Sequence, residues 1–111
     1  MPQVTGNDLV VQTLKNEGVD TVFSLTGGPM SDVAGLCLEM QFTSIDVRHE
    51  PAAAMMAPAY SRLTGKPGIG FAASGPGTTN LLTGIGNSFL DATPLTPASL
   101  LILYILYRTN T

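Results

Sequence analysis

The sequence predicts an α/β domain: a three-layer α/β/α arrangement around a mainly parallel sheet. Three observations lead there. Helix-patterned segments alternate with short β-rich runs along the chain, the order that builds parallel sheets through helical crossovers. A polar or Gly/Pro-containing break follows each strand-like run, as chain reversals require. Hydrophobic residues make up 44% and charged residues only 12%, where an ordinary soluble domain has about 25% charged. A chain this apolar buries both faces of its sheet or meets a partner.

Residues 7–17 read as the first helix, with Asn7 or Asp8 as N-cap and Gly18 as the stop. The run TVFSL (residues 21–25) is a strand, broken by Thr26, Gly27, Gly28 and Pro29. Residues 31–40 form a second helix, since Val33, Leu36, Cys37 and Met40 fall at i, i+3, i+4 and i+7. Residues 45–47 are a second strand and residues 51–63 a third helix, closed by TGKP. GIGFAA (68–73) is a third strand, SGPG a loop, and residues 78–90 a fourth helix. The last apolar run is LLILYILY, residues 100–107. There is no internal repeat and no low-complexity linker.

In such folds ligands bind in the crevice at the carboxyl edge of the sheet. Right-handed crossovers bring three segments to that edge: TGGP, RHE and SGPGTTN. Composition narrows the ligand. The 111 residues suffice for one small domain and not two. Net charge is -3 and the five Lys+Arg are scattered, so nothing resembles a nucleic-acid footprint. The single cysteine, Cys37, excludes an intrachain disulfide and suits a reducing, cytoplasmic setting. It lies in an apolar helical pattern and reads as a buried structural thiol. The N-terminus has no basic stretch leading into an apolar core, so no signal peptide is expected. LLILYILY is shorter than the ~20 residues of a membrane helix, so no membrane is expected either.

SGPGTTN (residues 74–80) could expose N–H groups to an anion at a helix start. It equally reads as a tight strand-to-helix turn. It is not G-x-G-x-x-G, because Asn80 takes the last position, and no Gly-Lys-Ser/Thr follows. His49 is the only histidine and lacks neighbours at metal-ligand spacing, so no metal site is expected. Glu50 stands where RHE runs into the Ala/Met segment PAAAMM. It is either the ordinary polar start of a helix or a carboxylate drawn to the edge of the core. The second holds if the helix packs through Ala53, Ala54 and Ala57. Burial without a cationic partner would then raise its pKa.

Three stretches, GVDTVFSLTGG, IDVRHEPAAAMMAPAYSRLTGKPG and ASGPGTTNLLTGIGNSFLDATPL, together resemble the N-terminal, pyrimidine-binding domain of thiamine diphosphate-dependent enzymes, of the acetolactate synthase type. The resemblance runs from about Gly6 to Leu95. It implies that residues 1–95 are an incomplete thiamine diphosphate-binding domain and residues 96–111 a divergent apolar tail. It implies that Glu50 is the activating glutamate, which hydrogen-bonds the ring nitrogen N1′ of the aminopyrimidine and so promotes loss of the proton from C2 of the thiazolium. Gly27 and Gly28 match a loop lining the active site. Gly75, Pro76, Gly77 and Asn80 match a turn packing near the pyrimidine. The substrate implied is a 2-keto acid.

The departures are as specific as the matches. In the family, Mg²⁺ and the diphosphate are held by a separate domain with a Gly-Asp-Gly motif, and FAD, where carried, by a middle domain. Neither pattern occurs here. The family's site forms between two subunits, so this chain offers half a site, and only the pyrimidine half. Thr26 stands where Pro is usual, and Pro51 where Gln is common. Pro58 falls inside the third helix, where a proline costs roughly 3 kcal/mol or more. After Leu95 the family continues into a buried strand, for which LLILYILY could substitute. Left uncovered, that run is aggregation-prone. The expectation is the N-terminal portion of a 2-keto acid carboligase or decarboxylase, inactive alone, acting as a homo-oligomer or with a full-length homologue. The alternative is a non-catalytic module that docks on such a homologue. A nucleotide-binding reading has only the Gly-rich turn in its favour.

Overall fold

The computed structural model describes residues 3–28, 30–93 and 95–98, with 96–98 described by their backbone. In chain order the elements are α1 (Gly6–Asn16), β1 (Thr21–Leu25), α2 (Met30–Glu39), β2 (Thr43–Asp46), α3 (Glu50–Thr64), β3 (Ile69–Ala72), α4 (Pro76–Leu90) and β4 (Thr96–Ala98). The strands form one parallel sheet in the order β2-β1-β3-β4. Phe23 of β1 stands beside Ile45 on one side and Gly70 on the other. The sheet therefore grows in opposite directions from β1, and the switch point lies between β1 and β3.

Alternation along β1 assigns the layers. Val22 joins the cluster of Val11, Val33, Cys37, Ile69 and Phe71 beneath α1 and α2. Phe23, the next residue, packs with Ala53 and Ala57 of α3. Ala54, Ala72 and Leu81 extend that second core beneath α4. The predicted three-layer architecture is present. Cys37 is fully buried, and burial pushes its thiol up to about 11, as expected of a structural cysteine.

Several boundaries differ from the sequence reading, each for a local reason. The N-cap of α1 is Thr5, not Asn7 or Asp8. Asp8 occupies the third helical position and completes a reciprocal capping box: the Thr5 N–H donates to Asp8 Oδ2 at 2.8 Å, and the Asp8 N–H to Thr5 Oγ1 at 3.2 Å. Helix α4 starts at Pro76 rather than Thr78, because Gly75 turns the chain at φ 76° and Pro suits a first helical position. Strand β4 pairs with β3 just past Leu95. Pro97 is tolerated there because, among the described residues, β4 is an edge strand. LLILYILY lies outside the described residues.

Pro58 does not break α3, which runs unbroken from Glu50 to Thr64. The carbonyl that Pro58 leaves without its helical donor, that of Ala54, faces Gly84 of α4: a Cβ on Gly84 would lie 2.8 Å from that oxygen and 2.2 Å from Ala54 Cβ. Only a glycine lets the two helices approach so closely. Gly68 does the same at the entry to β3, where a Cβ would lie 2.0 Å from the Ala57 oxygen.

The far edge of the sheet is tied by Asp20. Its carboxylate accepts from Lys66, from the Tyr60 hydroxyl and from Thr21 Oγ1. Lys66 first, then Tyr60 and Thr21, hold it down to about 2. A carboxyl depressed in the folded state stabilises fully above its unfolded value, and that contribution is lost as pH falls through the folded one. The urea midpoint should therefore drop more steeply between about pH 4 and pH 2 for the native chain than for Asp20→Asn. Both Asp20 and Lys66 are half exposed, so the effect is smaller than the shift alone suggests. Identical slopes would contradict it.

Candidate functional site

The loops after β1, β2 and β3 meet at one edge of the sheet, beside the switch point. Gly27 and Gly28 follow β1, and a Cβ on Gly27 would lie 3.5 Å from Ala73 Cβ, just past β3. Residues 47–49 follow β2 and deliver Glu50 as the first residue of α3. His49 caps that helix in an extended conformation without a side-chain cap bond, and Pro51 fits the first turn. Ala53, Ala54 and Ala57 are fully buried, so α3 lies close against the sheet and Glu50 is drawn to the core edge. Its side chain is 14% exposed.

Gly75 turns the chain after β3, Pro76 opens α4, and Gly77 and Asn80 face Glu50 from the first turns of that helix. Asn80 Nδ2 donates to Glu50 Oε2 at 3.0 Å. His49 Nδ1 lies 3.4 Å from the same oxygen. A Cβ on Gly77 would lie 3.4 Å from Glu50 Oε1. The structure thus brings Glu50, Gly77 and Asn80 into contact and sets Gly27 at the neighbouring loop. Gly28 is one residue further along that loop, and Pro76 is exposed.

Burial is the largest single influence on Glu50 and pushes its carboxyl up. Its own backbone N–H, the Asn80 amide and His49 act the other way and together outweigh it, so the carboxyl sits below the usual glutamate value. The sequence expectation of a raised value assumed burial without partners. The partners exist: one adjacent in the chain, the other thirty residues on. The position of His49 directly before Glu50 is the sequence signal that the two side chains can interact. Among the described residues no three His, Cys, Asp or Glu side chains are grouped to hold a metal ion. The arrangement holds a carboxylate at a partly dry edge, where it can accept a hydrogen bond from a donor.

Comparison with known proteins gives this edge a context. Residues 4–97 match the family model described as the thiamine pyrophosphate enzyme, N-terminal TPP binding domain. The chain is 42% identical over 96 residues to the acetolactate synthase large subunit of Haemophilus influenzae, covering 86% of this chain and 17% of that protein. It is 40% identical over 91 residues to the chloroplastic acetolactate synthase of Arabidopsis thaliana, covering 81% and 14%. It is 38% identical over 92 residues to a probable 2-ketoarginine decarboxylase of Pseudomonas aeruginosa, covering 83% and 16%. The chain spans about a sixth of the length of these relatives. With the match extending from before α1 into β4, the chain belongs to the thiamine pyrophosphate enzyme family and corresponds to its N-terminal TPP binding domain.

Proposed function

We propose that this chain supplies the pyrimidine half of a thiamine diphosphate site in a 2-keto acid carboligase or decarboxylase of acetolactate synthase type, with Glu50 as the group that meets the ring nitrogen. The observation that carries the reading is the Glu50 carboxylate itself, 14% exposed and held by Asn80 at 3.0 Å beside the side-chain-free Gly77. The residues suit an aminopyrimidine. A carboxylate accepts a ring N–H, and neither Gly27 nor Gly77 places a side chain beside it. Gly28, Gly75 and Pro76 shape the two loops around it. When bound, the cofactor supplies the electron sink for cleavage next to a 2-keto group. The chain's residues do three things: Glu50 holds a proton against the ring nitrogen, Asn80 orients Glu50, and α3 packed on the sheet keeps water from one side of the carboxylate.

The diphosphate, its Mg²⁺ and any FAD belong, on this reading, to other domains. The chain alone is inactive, and the cytoplasm is its compartment. A partner surface supports the incomplete-site reading. Leu63, Phe89 and Leu90 on α3 and α4 are each more than 80% exposed. Leu63 lines a groove of about 320 Å³ together with Met55, Pro58, Arg62 and Asn87. Apolar side chains this exposed suit contact with a second subunit. The same face favours the second reading, a non-catalytic module docked on a full-length homologue.

Both readings are separated by complementation. The chain is mixed with an acetolactate synthase large subunit from which the matching N-terminal stretch has been deleted, together with pyruvate, thiamine diphosphate and Mg²⁺. Acetolactate formation by the mixture and by neither part alone is expected. A complex without activity would favour the docking module. Turnover by the chain alone would overturn the half-site reading.

A further inference from the structure

The surroundings of Glu50 treat its two carboxylate oxygens differently. Asn80 Nδ2 and His49 Nδ1 both converge on Oε2, at 3.0 and 3.4 Å. Oε1 is turned toward Gly77, where an added Cβ would lie 3.4 Å from it and 3.5 Å from the Cβ atoms of Ala72 and Ala73. Both polar side-chain neighbours thus lie on the Oε2 side, which makes Oε1 the less addressed oxygen and the one open to a donor from outside the chain.

We propose that Asn80 and His49 are positioning residues that grip Oε2 of Glu50 and aim Oε1, across the missing side chain of Gly77, at the ring nitrogen of the ligand. The proposal rests on the reading of Glu50 given above and deepens it. It gives the amide of Asn80 a task other than touching the ring, and gives His49 a task that its isolation from any metal cluster had left open. At 3.4 Å the histidine is too far for a strong hydrogen bond and acts through its charge when protonated. His49 is also the titratable group that faces Glu50. The loop at 26–28 and the whole of residues 68–90 contain no titratable side chain, while Asp46 and Arg48 precede His49 along the chain.

The test uses the 111-residue chain labelled with ¹³C at the glutamate carboxyls, with the Glu50 signal identified by its loss in Glu50→Gln. Asn80→Ala should raise the Glu50 titration midpoint by about half a unit or more. His49→Gln, at a position 69% exposed and therefore harmless to folding, should raise it by less, since the amide keeps a donor and loses the charge. A native-like circular dichroism spectrum with a cooperative urea transition shows that each variant is folded. If neither variant moves the midpoint, the grip on Oε2 is wrong, and the proposed function is untouched.

Gly77→Ala tests the aim. Its new Cβ meets only ordinary van der Waals contacts, so the fold should persist. In the complemented mixture with the N-terminally deleted large subunit and Mg²⁺, thiamine diphosphate should then shift the Glu50 signal of the native chain but require at least about tenfold more ligand to shift that of Gly77→Ala, a loss of contact worth about 1.4 kcal/mol. Equal titrations would overturn the aim of Oε1. If thiamine diphosphate shifts nothing in the native chain, the reading of Glu50 falls and the aim falls with it, while the midpoints still decide the grip.

Discussion

Gly68→Ala is expected to strip the domain of most of its stability. The new Cβ would lie 2.0 Å from the Ala57 carbonyl oxygen, 2.5 Å from its carbon and 2.7 Å from Ser61 Oγ. Two of these atoms are backbone in the middle of α3, so no side-chain rotation relieves the clash. The helix must lift away from the start of β3, and α3 is the element whose Ala53, Ala54 and Ala57 seal one face of the sheet. Overpacking ordinarily costs about 1–3 kcal/mol. Here the obstacle is main chain, and the loss should reach or exceed about 3 kcal/mol, against a total of about 5–15 kcal/mol for a domain of ordinary stability. Urea unfolding followed by circular dichroism measures it. A loss under about 1 kcal/mol would mean that α3 does not sit this close to β3. Because α3 carries Glu50, a partly folded Gly68→Ala should also lose the Glu50–Asn80 contact.

Glu50→Gln is expected to leave the fold intact and remove about 10²–10⁴-fold of the activity recovered by complementation. The two side chains have nearly the same shape, and the glutamine oxygen can still accept from Asn80. The carboxylate charge is lost, and with it the ability to hold a proton against a ring nitrogen. Side-chain exposure of only 14% leaves little water at Glu50 to take over that role. An unfolding free energy in urea within about 0.5 kcal/mol of native, with activity down at least about 100-fold, is the expected pair of results. Retained activity would assign Glu50 a structural role alone.

Much of the fold was legible because strong local signals bracket it. TVFSL is bounded by turn residues, and β1 occupies exactly those five positions. Gly18 and Gly65 take positive φ values of 82° and 72° at the ends of α1 and α3, as the sequence reading required of a helix stop at Gly18. The start of α1 was misread because Asn7 and Asp8 are themselves good caps. The pattern that decides is Thr5 with an acid three residues later. Strand β4 was missed because TPA carries a proline and no apolar run, and only its pairing with β3, where it is the edge among the described residues, makes it a strand.

The site divides in the same way. The position of Glu50 at the polar–apolar join was visible in RHEPAAAMM, and the packing of the three alanines beneath it follows from the helical pattern. Its electrostatics were not visible. Asn80 is thirty residues away and reaches Glu50 only because α4 packs tightly on α3 through Gly84. A sequence reading could weigh burial alone, and burial alone gives the wrong sign.

The most direct measurement labels N1′ of the thiamine diphosphate pyrimidine with ¹⁵N and follows its chemical shift on binding to the complex of the N-terminally deleted large subunit with the native chain and with Glu50→Gln. The native chain should hold N1′ protonated at a pH where the free ring is not, and Glu50→Gln should leave it unprotonated. The same shift with both proteins would contradict the assignment of Glu50 as the partner of that nitrogen.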